Sequence, residues 1–108
     1  MLLLHHKGAK TKTERVNPLT YQHVDGGARA IFASKGGAPT NPDWYHNLTA
    51  NPETQIEVGT ETIDVTARAA DGEERERIWE KQKMDIPGFA KYEKKTSRQI
   101  PVVILEER

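Results

Sequence analysis

The sequence predicts a mainly β domain of the α+β class: six short antiparallel strands forming a small barrel, closed or partly split, with helices confined to two connections. Three observations carry this expectation. Apolar residues recur in short runs broken by turns. Two hairpin signals stand out, Asp25-Gly26-Gly27 and Gly59-Thr60. Only two connections, one beginning near Pro42 and one beginning at Gly72, have helical character.

The elements follow in order. Leu2, Leu3 and Leu4 read as a buried strand from the first residue, so a preceding N-terminal segment is expected to be missing. Lys7 to Arg15 is a basic, Gly-containing hairpin loop, and Val16 to Val24 forms a second strand. Asp25-Gly26-Gly27 turns the chain into Ala28–Ser34, where Ala30 and Phe32 lie on one face and Ile31 and Ala33 on the other. An apolar side chain at every position implies a strand covered on both sides.

Ala33-Ser34-Lys35-Gly36-Gly37 then opens into a Gly-rich turn, followed by a helix with an Asn41 cap and a proline at its start. Two adjacent glycines permit positive φ and close approach of the main chain to a ligand, and the helix N-terminus just beyond adds partial positive charge. The stretch has the character of an anion or cofactor cradle. The helix stops at Asn51-Pro52. Gln55–Val58 and Thr62–Arg68 alternate as a second hairpin, with Ile63, Val65 and Ala67 inward. Asp71 caps a charged helix from Gly72 to Lys83 whose Ile78 and Trp79 face the body of the protein. After Pro87-Gly88 a short helical turn runs from Phe89 to Lys95, and Gln99–Glu106 closes the barrel as a buried strand.

Length and composition limit what the cradle can serve. A chain of 108 residues makes one domain. Lys plus Arg and Asp plus Glu are 16 each, so no global charge draws nucleic acid, and nucleic-acid partners are not expected. The chain has no cysteine, which excludes disulfides and thiolate chemistry and fits the cytoplasm. His5, His6, His23 and His46 lack metal-site spacing, so no metal is expected and surface or barrel-lining positions suit them better. There is no Walker or GxGxxG signature, which leaves barrel loops to hold any cofactor.

Several residues carry two readings. Lys7, Lys10, Lys12 and Arg15, interleaved with Gly8, Thr11 and Thr13, are either a solvated loop or a phosphate-binding hairpin. Trp44 and Tyr45 are either core or contact residues. Ile86, Phe89 and Tyr92 either pack on the barrel or face a substrate. Ser34 has no adjacent base to make it a nucleophile.

Gly8-Ala9-Lys10-Thr11, Arg15-Val16-Asn17-Pro18-Leu19, Ala33-Ser34-Lys35-Gly36-Gly37, Asn41-Pro42-Asp43-Trp44-Tyr45-His46-Asn47-Leu48 and Arg98-Gln99-Ile100-Pro101-Val102 resemble the deazaflavin-dependent nitroreductase family over nearly the whole chain. The resemblance implies that the six-stranded barrel read from the residues is a split β-barrel like those that bind flavin mononucleotide (FMN), with coenzyme F-420 (8-hydroxy-5-deazaflavin) as cofactor and FMN as the alternative. It places the phosphate and polyglutamate tail on Lys10, Thr11, Lys12 and Arg15. The deazaflavin ring is expected against Pro18, Leu19 and Tyr21 and the main chain of Ala33, Ser34, Lys35, Gly36 and Gly37. Trp44, Tyr45 and Asn47 buttress the site, Ile86, Phe89 and Tyr92 face the substrate, and Tyr92 and Ser34 are the catalytic candidates.

The implied activity is hydride transfer to an electron-poor, hydrophobic acceptor: a quinone, an enone or a nitro compound. A non-catalytic deazaflavin or flavin carrier is the alternative. The implied protein is a monomer or homodimer in the cytoplasm, with peripheral membrane association as the alternative.

Overall fold

The computed structural model describes residues 1–108, the side chain of Asp25 excepted. It comprises seven strands, β1 (Leu2–Lys7), β2 (Glu14–Leu19), β3 (Gln22–His23), β4 (Arg29–Phe32), β5 (Glu53–Val58), β6 (Glu61–Ala69) and β7 (Val102–Glu107). Three α-helices, α1 (Asp43–Ala50), α2 (Gly72–Asp85) and α3 (Gly88–Lys95), occupy the β4–β5 and β6–β7 connections, so the helices lie in two connections as expected.

The strands form one antiparallel sheet in the order β2-β1-β5-β6-β7-β4-β3. The two edge strands, β2 and β3, are consecutive in the chain and are joined only by Thr20 and Tyr21. Three residue steps span at most about 11 Å, so the sheet curls until its opposite edges meet at that link. β2 and β3 share no ladder, which leaves the seam split and makes the sheet a half-barrel.

The strand count corrects the sequence expectation of six. Val16 to Val24 is not one strand. It breaks at Thr20-Tyr21 because β2 pairs with β1 and β3 pairs with β4 on the far edge. Hydropathy alone gives no sign of that change of partner.

The alternation predicted for residues 28–34 is observed. Ile31 and Ala33 point into the barrel with Leu2, Leu4, Trp44, Leu48, Ile56, Val65, Val103 and Leu105. Ala28, Ala30 and Phe32 face the opposite way, into a second core with Ile78, Trp79, Ile100, Val102 and Ile104 beneath α2 and α3. β4 and β7 are therefore the shared wall between two hydrophobic layers. Among the described residues, no helix is long and apolar enough to cross a membrane.

Candidate functional site

Two loops carry most of the residues predicted to bind a cofactor. The first is the turn after β4. Ser34 is right-handed helical (φ −77°, ψ −36°), whereas Lys35, Gly36 and Gly37 have φ of 47°, 64° and 85°. A right-handed residue followed by left-handed ones turns successive N–H groups toward one side and forms an anion-binding concavity. Among the described residues, no backbone oxygen takes the N–H of Ser34, Lys35 or Gly36; the first N–H of the turn bonded inside it is that of Gly37, to the Ser34 oxygen at 2.9 Å.

The two glycines differ. A side chain at Gly36 would meet nothing within 4 Å, so this position faces open space. A Cβ at Gly37 would lie 2.8 Å from the Lys95 Cβ and 3.0 Å from the Tyr92 carbonyl oxygen. Gly37 thus lets α3 seat against the turn.

Arg98 lies behind the turn. Its Nη1 donates to the Ala33 oxygen (3.2 Å), its Nη2 to the Ser34 oxygen (2.9 Å) and its Nε to the Ala38 oxygen (3.0 Å). Nη1 also donates to Asn41 Oδ1 at 2.7 Å. Asn41 therefore does not cap α1, whose N-cap position is Pro42 and lacks a side-chain cap bond.

The second loop is the basic hairpin between β1 and β2. Gly8, Ala9, Lys10, Thr11 and Arg15 line a cavity of about 270 Å³ together with Asp43, His46 and Asn47 from the start of α1. The N-terminal end of α1 thus serves the hairpin, while the positive charge behind the Gly-rich turn comes from Arg98. Asn41 and Asp43 are two residues apart, hence within about 7 Å, and join the two loops.

A buried polar chain holds the hairpin in place. The Ala9 N–H donates to Asn47 Oδ1 (3.0 Å), Asn47 Nδ2 donates to His6 Nδ1 (2.9 Å), and His6 Nε2 donates to Asn17 Oδ1 (2.6 Å). His6 is 2 % exposed and follows Leu2 and Leu4 on the inward face of β1. That period of two was visible in the sequence. On the outer face, His5 lies between Glu57 (2.6 Å) and Glu14 (3.1 Å), and these carboxylates, Glu57 foremost, raise its pKa against the opposing effect of burial.

The structure brings Lys10, Thr11, Arg15 and Asn47 together at the hairpin cavity. Lys12 points elsewhere, its Nζ on Asn51 Oδ1 at 3.1 Å. Trp44 is buried in the barrel, with Leu19, Tyr21 and Tyr45 packed at that core's margin; Pro18 is exposed on β2. Phe89 packs at the margin of the outer core, edge-on to Phe32 and Trp79 with ring centroids 5.6 and 6.1 Å away, and Tyr92 lies next to it. Ile86 is exposed at the end of α2. Sequence reasoning assigned no role to Arg98 or His6. The partners of Arg98 are mainly carbonyl oxygens more than fifty residues away, which no side-chain pattern signals.

The chain is similar to known proteins over nearly its whole length. The F420H(2)-dependent quinone reductase Rv1261c of Mycobacterium tuberculosis (strain ATCC 25618 / H37Rv) is 44% identical over 110 residues, covering 99% of this chain and 73% of the relative. An F420-H2 dependent reductase, FDR-A, superposes with a TM-score of 0.85 at 42% identity, covering 97% of this chain and 92% of its own. A chain solved as a domain-swapped dimer gives the same TM-score and identity, with 97% and 78% covered. The model of a family described as F420H(2)-dependent quinone reductase matches residues 1–107, and the chain belongs to that family of oxidoreductases, whose cofactor is coenzyme F-420.

Proposed function

We propose that the protein passes a hydride from reduced coenzyme F-420 to a quinone, with the two loops as its cofactor site. The observation that supports this reading most is the pairing of an N–H concavity at Ser34–Gly36 with a cationic cavity at Lys10, Thr11 and Arg15, joined by the start of α1. The residues suit the cofactor's chemistry. A phosphate takes charge-assisted hydrogen bonds from Lys10 and Arg15 and a hydroxyl hydrogen bond from Thr11. A planar heterocycle carrying carbonyl oxygens takes N–H donors from the open side of the turn.

When bound, the reduced deazaflavin supplies a hydride. The chain's own part is to bind, orient and shield. Lys10, Thr11 and Arg15 hold the phosphate, with Lys12 at the edge of that loop. Pro18, Leu19 and Tyr21 and the main chain of Ala33, Ser34, Lys35, Gly36 and Gly37 would hold the ring. Trp44, Tyr45 and Asn47 hold the walls. Fixing donor and acceptor at contact distance is worth up to about 7–11 kcal/mol of barrier in well-oriented systems. Quinone reduction needs one proton besides the hydride; Tyr92 or solvent delivers it, and Ser34 contributes through its N–H. Ile86 and Tyr92 face the acceptor, while Phe89 shapes that face from the outer core. In keeping with the domain-swapped dimer among its relatives, we read the protein as a homodimer, which light scattering checks.

The experiment is to mix the purified protein with reduced F-420 and a quinone panel, and to follow return of the oxidised cofactor's visible absorbance. Protein-dependent oxidation is expected. Tight binding without turnover across quinones, enones and nitro compounds points instead to a carrier, and tighter binding of flavin mononucleotide than of F-420 overturns the site assignment.

A further inference from the structure

We propose that Arg98 is a positioning residue that prearranges and polarises the Ser34–Gly36 turn toward the cofactor ring; this rests on the cofactor site proposed above. All four hydrogen bonds of its guanidinium end on neutral oxygens, three of them backbone carbonyls of that one turn. Among the described residues there is no cis peptide bond, so each carbonyl and the following N–H point in opposite directions. With the oxygens of Ala33 and Ser34 drawn onto the guanidinium, the N–H groups of Ser34 and Lys35 are turned away from it, toward the open side of the turn.

Two consequences follow. The left-handed backbone at Lys35, the single non-glycine residue of the three with positive φ, is strained, and the planar five-donor fork of Arg98 holds it. The fixed positive charge behind the peptide groups also reinforces their dipoles, so the free N–H groups would be stronger donors to a carbonyl oxygen of the ring. Lysine cannot reproduce this. A compact ammonium has no planar fork with which to hold three carbonyl oxygens at once.

The test uses the full chain in wild-type, Arg98→Lys and Arg98→Ala forms, titrated with oxidised and reduced F-420. Affinity and the amide NMR signals of Ser34, Lys35, Gly36, Lys10 and Thr11 are recorded. In the wild type, both loops' amides are expected to shift. Arg98→Ala should bind about 10- to 100-fold more weakly, the range for loss of charged hydrogen bonds, with the 34–36 shifts lost and the Lys10 and Thr11 shifts kept. Millimolar guanidinium should restore part of the affinity and the 34–36 shifts, whereas equal sodium chloride should not.

Arg98→Lys guards against a failure of the alanine variant to fold, and it should bind the reduced form more weakly than the wild type. Wild-type affinity and unchanged 34–36 shifts in the lysine variant overturn the role of Arg98 while leaving the site intact. A wild type that does not bind F-420, or binds it with no shift at Ser34–Gly36, overturns the site and with it this role.

Discussion

Asn47 donates to His6 Nδ1 at 2.9 Å inside the barrel, and that bond fixes the imidazole as a neutral ring protonated on Nε2. His6 Nε2 is then the donor to Asn17 Oδ1, and Asn47 Oδ1 is free to take the Ala9 N–H. Asn47→Ala removes a donor and an acceptor at once and leaves buried partners unpaired. A loss of about 1–3 kcal/mol in stability is expected by denaturant titration, together with weaker cofactor binding. Asn47→Asp cannot donate to Nδ1 as a carboxylate, and the His6 ring nitrogens, followed by nitrogen NMR, are expected to leave the Nε2–H form.

The basic hairpin separates its cations. Lys10 and Arg15 line the cavity beside α1, whereas Lys12 is engaged with Asn51. Lys10→Ala and Arg15→Ala are each expected to weaken F-420 binding by about tenfold or more, the scale of a charge-assisted hydrogen bond. Lys12→Ala should stay within about threefold, since exposed polar pairs contribute little. Equal losses from all three in a calorimetric titration would show that the tail lies outside this cavity.

Gly36 and Gly37 should respond differently to alanine. At Gly37 the new Cβ meets α3 and the φ of 85° is unfavourable, so Gly37→Ala is expected to cost about 2–4 kcal/mol from overpacking and strain together. Gly36→Ala adds only the left-handed strain, about 1–2 kcal/mol, because nothing lies near it. A bulkier Gly36→Val should fold and lose cofactor affinity by occupying the open side of the turn. Thermal melts separate the two alanine variants, and a folded Gly36→Val with unchanged affinity would remove Gly36 from the site.

His5 gives a pH dependence with a defined sign. Its folded pKa lies above the ordinary 6.5, held up first by Glu57 and then by Glu14. The stability it adds is therefore complete below 6.5 and is lost as pH rises through the raised value. The stability difference between wild type and His5→Gln should shrink as pH rises across that window. A difference that stays constant with pH would mean that His5 holds β2 and β5 without its charge.

The parts of this molecule that were legible in the sequence are those encoded by local periodicity. Ile31 and Ala33 against Ala30 and Phe32 announced a strand buried on both faces, and the structure places a core on each side. The glycines of the Asp25–Gly27 and Gly59 turns, all with positive φ, marked both hairpins. What stayed hidden depends on distant partners. Thr20-Tyr21 reads as the middle of a strand until two different edges claim its flanks, and Arg98 reads as a surface cation until the carbonyls of Ala33 and Ser34 surround it. Phe89 gives no sign in the sequence of its packing on Phe32, which the two rings show.

The sheet order also dictates when during synthesis this protein can exist. β4 pairs only with β3 and β7, so the β3–β4 hairpin reaches the remainder of the sheet solely through β7, the last of the seven strands in chain order. While Val102–Glu107 is still inside the ribosome, Ile31 and Ala33 have no sheet to join, and the turn that follows them has no wall behind it. The nascent chain must wait, apolar strands exposed, for Val102–Glu107 to emerge. Premature termination anywhere before β7 therefore yields a chain that cannot back the Ser34–Gly37 turn with a sheet, however much of that turn's sequence it contains.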